Sequence, residues 1–375
     1  MSSLGPDVYV LVFALAAVVA WALTAFLPLR ALARPAEARI GRRRVGGLAV
    51  FAGLLVALLL ATLISSDLAD LMDADRKETA GLLSAGLMIL LVGLLDDLRE
   101  VNFKVKFLVQ AGAAGLAFLA GYRIDDVSMP WGASFSLEWA APVVTILWLV
   151  FLTNAINLID GKDGLAAGVA IIGALPLALI AHNVERPLVA VEFVALGGAC
   201  AGFLPLNLPT ASRLLGDSGA LLVGFLLAAL AIEGSTGVTN SMFIGVPIVA
   251  LGFPILDTVL AFTRRIIDLR HPFLRDLDHI QHRLEGTGLS DGSVLFALYG
   301  LCLLFASAAL TIHFVGSVWA EFLAFFAYGA AILLIIFGLG YARSMWQATA
   351  MQSIRGLVAS AVGGRRPPKA GAKSR

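Results

Sequence analysis

The sequence predicts an all-α membrane protein that crosses a lipid bilayer about eleven times. The mean hydropathy of the 375-residue chain is +0.90, and only 14% of its residues are charged. In soluble proteins, roughly a quarter of the residues are charged. Apolar runs of about 20 residues, the length that a helix needs to cross the hydrocarbon core, recur along the chain. Together these features favour a polytopic membrane protein over a soluble fold.

The predicted spans are separated by short loops, so no soluble domain fits between them. They lie at 8–29, 46–65, 79–95, 105–122, 141–158, 164–181, 187–206, 216–233, 241–263, 292–313 and 318–342. The first span is too long for a signal-peptide core and has no small-residue cleavage pattern, so we expect it to remain. We expect residues 1–360 to form one transmembrane domain. Residues 361–375 are rich in glycine, proline and basic residues, which predicts a disordered tail.

The basic residues predict the orientation of the chain. Of its 27 Lys and Arg residues, only Arg76, Lys77, Arg123 and Arg186 fall on one side of the predicted membrane. The positive-inside rule assigns the opposite side to the cytoplasm. With eleven spans, the N-terminus is then outside and the C-terminus cytoplasmic. The net charge of +1, with no basic face outside the loops and chain ends, argues against nucleic-acid binding.

Several carboxylates are predicted to converge on the cytoplasmic face. Five of them end, open or connect apolar spans, and the sixth lies about a turn and a half inside the ninth span: Asp96, Asp97, Asp160, Asp163, Asp217 and, inside the span, Asp257. Ionisable groups near hydrocarbon are costly and usually mark function. Mg²⁺ takes one or two protein carboxylates and completes its shell with substrate phosphates and water, and nearby Arg and Lys suit phosphate oxygens. The pattern therefore predicts a metal-dependent phosphate site, with Mg²⁺ as the cofactor and Mn²⁺ as a substitute.

An ion-coupled secondary transporter is the alternative interpretation of these carboxylates. Transporters place such residues near the bilayer midplane, on broken helices within internal repeats. In this sequence the carboxylates fall at one predicted interface, and no internal repeat is visible. A scaffolding protein would leave the carboxylates unexplained. The sequence therefore favours an enzyme.

Five segments around these residues resemble the polyprenyl-phosphate N-acetylhexosamine-1-phosphate transferase family, in the family's order and at matching loops. They are RRVGGLAV (43–50), GLLDDLREVNFKVKFLVQ (93–110), NAINLIDGKDGLAAG (154–168), LLGDSGALLVGF (214–225) and DLDHIQHRLEGTGLS (276–290). Three positions depart from the family's pattern: Arg43 replaces a proline, Ala220 a serine and Gln281 a histidine. The last segment is most similar to the bacterial branch that uses UDP-N-acetylglucosamine.

The resemblance implies a multi-pass enzyme of the bacterial cytoplasmic membrane, with active-site loops on the cytoplasmic face. Such enzymes transfer a sugar 1-phosphate from a UDP-sugar to undecaprenyl phosphate and release UMP. This reaction is an initiating step of cell-surface glycan synthesis, such as that of cell wall or lipopolysaccharide. The departure at Gln281 leaves the sugar open. The oligomeric state, including a homo-oligomer, is also open.

The resemblance also implies roles for individual residues. The expected catalytic residues are Asp96, Asp97, Asp160, Asp163 and His279, and the expected substrate-binding residues are Arg44, Lys106, Asn157, His282 and Arg283. Asp217 is the expected principal metal ligand, with Asp97 as a second. Asn157, Asp160 and Asp163 are expected to hold the nucleotide or support the metal. Arg44 is expected to meet the lipid phosphate.

The histidine-rich segment is expected to hold the diphosphate. If residues 276–284 are helical, His279, His282 and Arg283 share a face, because residues three and four apart are neighbours on a helix. Gln281 lies two residues from His279 and is then expected to point elsewhere.

The predicted orientation can be tested by thiol labelling, with the native Cys200 and Cys302 replaced. Single cysteines at Ser66 and Ser134 should react with a membrane-impermeant reagent in intact cells, because both loops are predicted to be external. A cysteine at Ser212 should react only after permeabilisation, since its loop is predicted to be cytoplasmic. The reverse labelling pattern would contradict this orientation.

Overall fold

The computed structural model describes residues 4–27, 42–128, 134–234, 245–267, 279–315 and 318–338. Helices account for 83% of these residues, which confirms the predicted all-α class. The helices are α1 (Pro6–Phe26), α2 (Gly46–Ile64), α3 (Ser66–Ala74), α4 (Arg76–Leu98), α5 (Phe103–Ala120), α6 (Ala141–Ile159), α7 (Leu165–Asn183), α8 (Pro187–Asn207), α9 (Gly216–Glu233), α10 (Gly245–Ala250), α11 (Gly252–Ile267), α12 (Ile280–Glu285), α13 (Asp291–Val315) and α14 (Val318–Gly338). The predicted tail at 361–375 lies outside the described residues.

Nine helices in the described ranges are long and apolar enough to cross a membrane: α1, α2, α4, α5, α6, α7, α8, α9 and α13. They coincide with nine of the predicted spans, so the chain is a multi-pass membrane protein. The last predicted span, 318–342, coincides with α14 as far as the structure describes it.

The predicted span 241–263 is wrong as a single helix. The chain forms α10 and α11 instead, with a break at Leu251. Proline has no backbone N–H, and its ring clashes with the carbonyl four residues earlier in a continuous helix. Pro254 therefore cannot extend α10, whose last residue is Ala250, but it is tolerated in the first turn of α11.

The helix α9 lies at the centre of the bundle. Of its apolar window, 89% is buried inside the protein, compared with 28% for α1. It packs against α2, α4 and α6, with further contacts to α7 and α8. The first residues of α9 are therefore held by helices from several parts of the chain.

A glycine lets α4 approach the beginning of α9 closely. A Cβ atom added to Gly93 would lie 2.4 Å from the Cα of Ser218. Small residues permit such backbone contact between membrane helices. Gly93 lies one turn before Asp96 and Asp97 in α4, so this contact brings those carboxylates to the beginning of α9.

A pair of two-residue parallel strands joins two of the motif segments. Strand β1 (Arg43–Arg44) pairs with β4 (Arg213–Leu214), with Arg44 opposite Leu214. A separate antiparallel pair, β2 (Asp126–Ser128) and β3 (Ser134–Ser136), connects α5 to α6. The β1–β4 pair places Arg44 beside the residues that lead into α9.

The close contact at Gly93 predicts that Gly93→Ala is destabilising. The added methyl group would overlap the backbone of α9, and overpacking of this kind costs about 1–3 kcal/mol. Gly115→Ala in α5 is the matched control, because a Cβ there meets no atom within 4 Å. Thermal unfolding in detergent should therefore show a lower midpoint for Gly93→Ala alone. Equal midpoints for the two variants would contradict the packing described here.

Candidate active site

One cavity brings together most of the predicted site residues. Its volume is about 1290 Å³, and it lies where α4, α5, α6, α9 and α11 meet the segments that connect them. The predicted residues in its lining are Arg44, Asp96, Lys106, Asn157, Asp160, Asp163, Asp217, His279 and His282. Of the predicted set, Asp97 and Arg283 are not part of the lining.

The carboxylate of Asp97 is buried at the first turn of α9, with 2% of the residue exposed. Its Oδ1 accepts hydrogen bonds from Arg44 Nη1 and from the backbone N–H of Asp217, both at 2.9 Å. Its Oδ2 accepts from the backbone N–H of Ser218 at 3.1 Å and from the Ser218 hydroxyl at 2.6 Å. A carboxylate offers about four lone-pair sites, so these four donors fill them.

These contacts make Asp97 an anchor for α9. The first N–H groups of a helix have no partner within the helix, and an anion there is stabilised by the helix dipole. Gly216 is the first residue of this turn and has φ +74°, and a Cβ atom at Gly216 would lie 2.7 Å from Oδ2 of Asp97. The predicted catalytic and metal-binding roles of Asp97 stay predictions, and its filled contacts favour a positioning role.

Asp96, the neighbour of Asp97 in α4, faces the cavity. Its Oδ2 accepts from Lys106 Nζ at 2.9 Å, and its Oδ1 accepts from the backbone N–H of Val101 at 2.7 Å. Lys106 Nζ also lies 3.9 Å from Oδ2 of Asp217, so the two carboxyl groups lie beside one lysine. Two neighbouring carboxylates repel each other unless a proton or a cation compensates their charge.

The carboxyl groups of Asp96 and Asp217 fit a Mg²⁺ ion whose remaining ligands come from the substrate. Mg²⁺ prefers hard oxygen ligands and often uses one or two protein carboxylates together with phosphate oxygens. No group of three or more His, Cys, Asp or Glu side chains with a metal-binding arrangement occurs among the described residues. An ion held by these two carboxylates would complete its shell with phosphate oxygens and water.

The loop between α6 and α7 contributes two further carboxylates. Asp160 follows the last residue of α6 and lines the cavity. Burial, together with the negative charges of Asp217 and Asp97, raises the pKa of the Asp160 carboxyl well above its usual range. Asp163 instead forms a two-pronged ion pair with Arg42, at 2.9 and 3.3 Å, and accepts from the backbone N–H of Ala211 at 3.1 Å. Asp163 thus ties this loop to both β1 and the segment before β4.

His279 is paired with a carboxylate from α11. Its Nδ1 lies 2.6 Å from Oδ2 of Asp257, and Oδ1 of Asp257 accepts from the backbone N–H of Ile280 at 2.9 Å. Both side chains are buried, with 5% of His279 and 2% of Asp257 exposed. Because these contacts occupy Asp257, its carboxylate is not an open ion site of the kind that a transporter would use.

The prediction that His279, His282 and Arg283 share one helix face is wrong. The cavity lining contains His279, Gln281 and His282, but not Arg283. The described helix begins at Ile280, so His279 precedes it and does not follow the helical spacing assumed for the face. Gln281 is 3% exposed, and its Oε1 has no hydrogen-bond partner among the described residues. Residues 276–278 of the predicted loop lie outside the described ranges.

Sequence reasoning missed Lys162, which links the loop after α6 to helix α12. Lys162 is 8% exposed, and its Nζ contacts Glu285 Oε1 at 2.8 Å and Asp291 Oδ1 at 2.7 Å. Burial acts to lower the pKa of Lys162, but the hydrogen bonds to Asp291 and Glu285 outweigh it and raise the pKa. Only its place between Asp160 and Asp163 in the motif could have drawn attention to Lys162.

Asn207 at the end of α8 is a second residue that sequence reasoning missed. Its Oδ1 accepts from the backbone N–H of Gly164 at 3.1 Å, and its Nδ2 donates to the carbonyl of Arg213 at 2.8 Å. It therefore links the loop after α6 to β4. Its sequence context, in which Pro205 precedes it within an apolar helix, gives no sign of this role.

The chain matches the family described as glycosyl transferase family 4 over residues 79–235. It is 34% identical over 295 residues to a Bacillus subtilis protein named probable undecaprenyl-phosphate N-acetylglucosaminyl 1-phosphate transferase, with 78% of each chain covered. It is 33% identical over 282 residues to the decaprenyl-phosphate N-acetylglucosaminephosphotransferase of Mycobacterium tuberculosis, with 68% of each covered. The undecaprenyl-phosphate alpha-N-acetylglucosaminyl 1-phosphate transferase of Thermotoga maritima is 33% identical over 197 residues, which cover 52% of this chain and 57% of that one.

The anchoring contacts of Asp97 predict that Asp97→Asn lowers both stability and activity. The amide has one acceptor oxygen, its NH₂ group would face donors, and the ion pair between the buried Asp97 side chain and Arg44 would be lost. Loss of one partner of such a pair costs about 3 kcal/mol. The midpoint of thermal unfolding in detergent should fall, whereas Asp70→Asn in the exposed helix α3 should leave it unchanged. An unchanged midpoint together with lost activity would instead indicate a direct chemical role for Asp97.

Proposed function

The chain belongs to glycosyl transferase family 4 together with the polyprenyl-phosphate N-acetylglucosamine-1-phosphate transferases, and from this we propose its reaction. It transfers N-acetylglucosamine 1-phosphate from UDP-N-acetylglucosamine to undecaprenyl phosphate and releases UMP. The product is a lipid diphosphate sugar, which begins the synthesis of a cell-surface glycan. The reaction takes place at the cytoplasmic face of the bacterial cytoplasmic membrane.

The observation that carries this proposal is the mixed charge of the cavity described above. Carboxylates from three elements, Asp96, Asp160 and Asp217, lie beside the cations Arg44 and Lys106 at the ends of membrane helices. Carboxylates alone would repel a sugar nucleotide and a lipid phosphate, and cations alone would not hold a divalent metal. A site for two phosphorylated substrates and a metal needs both.

We assign Mg²⁺ to Asp96 and Asp217, with Mn²⁺ as a substitute, because both residues line the cavity and both carboxyl groups lie beside Lys106. When bound, the ion would supply positive charge to the diphosphate and polarise the phosphorus–oxygen bond that breaks. The carboxylate of Asp97 is not part of the cavity lining. It binds the first turn of α9, including the backbone N–H of Asp217.

The reaction forms one phosphorus–oxygen bond and breaks another. An oxygen of the lipid phosphate attacks the sugar-bound phosphorus of the UDP-sugar, and the bond to the UMP oxygen breaks as UMP leaves. The second pKa of a phosphomonoester is near 6, so at neutral pH the nucleophile is already largely deprotonated. The main difficulty is to bring two anions together, which makes positioning and charge neutralisation the principal catalytic contributions.

Different lining residues contribute to the positioning of the substrates and to the neutralisation of their charge. Arg44 and Lys106 supply the positive charge for the lipid phosphate, and their pairing with Asp97 and Asp96 fixes where that charge lies. Asn157 and Asp160 form the wall that we assign to the nucleotide. The two histidines of the last segment are assigned to the diphosphate. Asp163, which is held by Arg42, fixes the loop that carries Asp160.

Asp217→Asn tests the metal assignment. The amide keeps the shape but removes the anionic oxygen that Mg²⁺ prefers. Loss of a ligand to a catalytic metal should cost several kcal/mol of transition-state stabilisation, or about a thousandfold in rate. The measurement is UMP release from UDP-N-acetylglucosamine by purified protein with undecaprenyl phosphate and Mg²⁺.

The design includes a control and a panel of donors. Asp70→Asn should release UMP at the unsubstituted rate, and Asp217→Asn should unfold at an unchanged temperature because Asp217 anchors α9 through its backbone. Other UDP-N-acetylhexosamines should be poorer donors for the unsubstituted protein. Activity of Asp217→Asn within about tenfold of the unsubstituted protein would exclude the metal role. No UMP release with any donor would exclude the proposed reaction.

A further inference from the structure

Both histidines in the cavity contact a carboxylate through the same ring nitrogen. Nδ1 of His279 lies 2.6 Å from Asp257, and Nδ1 of His282 lies 3.0 Å from Oε2 of Glu285. Both residues line the cavity, and no hydrogen bond to either Nε2 is seen among the residues that the structure describes, so this nitrogen is the one that each ring has left for a ligand. An ionised carboxylate can only accept hydrogen bonds. Each pair therefore places a proton on Nδ1, as a carboxylate partner does for histidines that bind metals.

The pair of Asp257 and His279 is held by two hydrogen bonds. Asp257 accepts from His279 with one oxygen and from the backbone N–H of Ile280 with the other, so it fixes the ring and the backbone beside it. The side chains are 6% and 3% exposed for His279 and Asp257 respectively. A buried ring with one nitrogen held in this way has a defined orientation for the other nitrogen.

The pair of Glu285 and His282 is held in place by Lys162. Lys162 Nζ lies 2.8 Å from Oε1 of Glu285, and His282 contacts the other oxygen of the same carboxylate. Hydrogen bonds from Lys162 and then His282 lower the pKa of Glu285, which keeps it ionised. Lys162 is itself fixed by Asp291 at 2.7 Å. The orientation of His282 therefore depends on the loop after α6 and on the first residue of α13.

We propose that Asp257 and Glu285 are positioning residues that keep both imidazoles protonated on Nδ1 and direct both Nε2 atoms towards the diphosphate of the sugar nucleotide. This inference rests on the proposed function and specifies how the donor is held. The ring centroids of His279 and His282 are 6.4 Å apart, close enough for both rings to face one diphosphate. Anions on both sides of an imidazole favour its doubly protonated form. Each Nε2–H then donates a charge-assisted hydrogen bond to a phosphate oxygen.

The kinetic test uses Asp257→Asn and Glu285→Gln, which keep the size of each side chain but remove its charge. A contact made to the diphosphate in both the bound substrate and the transition state changes KM more than kcat. Each variant should therefore raise KM for UDP-N-acetylglucosamine by about tenfold or more, with kcat changed by less than about threefold. Asp70→Asn is the matched control and should change neither value. An unchanged KM in both variants would overturn the inference.

The second test observes the protons directly, by NMR of protein labelled with ¹⁵N histidine. His279 and His282 should be protonated on Nδ1, and UDP-N-acetylglucosamine without the lipid acceptor should add a proton to Nε2. In Asp257→Asn, the proton of His279 should move to Nε2, because the amide can donate to Nδ1, while His282 should be unchanged. Identical His279 spectra with and without the Asp257 carboxylate would overturn the inference.

The two tests separate this inference from the proposed function. If the unsubstituted protein does not turn over UDP-N-acetylglucosamine, the proposed function fails, while Nδ1 protonation in the NMR spectra still supports the pairing. If turnover is normal and the variants change neither KM nor the site of protonation, the proposed function stands and the positioning role is excluded.

Discussion

The carboxylate of Asp97 is the constraint on which the site depends. It lies among membrane helices, where an uncompensated charge is strongly unfavourable, and four donors from two other segments compensate it. Because Arg44 comes from β1 and the backbone donors come from the first turn of α9, one side chain fixes α4, β1 and α9 relative to each other. The neighbouring residues Asp96 and Asp217 then face the cavity as a consequence of where Asp97 is held.

Around this anchor, the charged residues of the cavity are supported by a second set of charged or polar partners. Asp163 is fixed by Arg42, Glu285 is fixed by Lys162, and His279 is fixed by Asp257. Such support gives each group in contact with substrate a defined orientation before substrate arrives, which is how a preorganised electrostatic site lowers a barrier. For a reaction between two anions, this arrangement matters more than any single acid or base.

Hydropathy alone predicted most of the fold, because each span must be apolar over the thickness of the membrane. It failed at the broken helix, where the signal was the local chemistry of Pro254 and not the average hydropathy. The motifs identified which residues enter the site but not their individual roles. Asp96 and Asp97 are adjacent in sequence, and only the packing of α4 on α9 decides which one faces the cavity. The partners of Lys162 and Asp257 lie far away in sequence, so no local pattern could reveal them, and Gln281 was misplaced because the helix begins later than assumed.

In the proposed reaction a phosphate moves together with the sugar, and an isotope label can follow that phosphate. UDP-N-acetylglucosamine labelled with ³²P only at the sugar-bound phosphorus is incubated with purified protein, undecaprenyl phosphate and Mg²⁺. The label should enter the lipid fraction, and the UMP released should be unlabelled. Label that stays in a released UDP, with unlabelled lipid phosphate carrying the sugar, would contradict this reaction, because the bond broken would then be the one between sugar and phosphate.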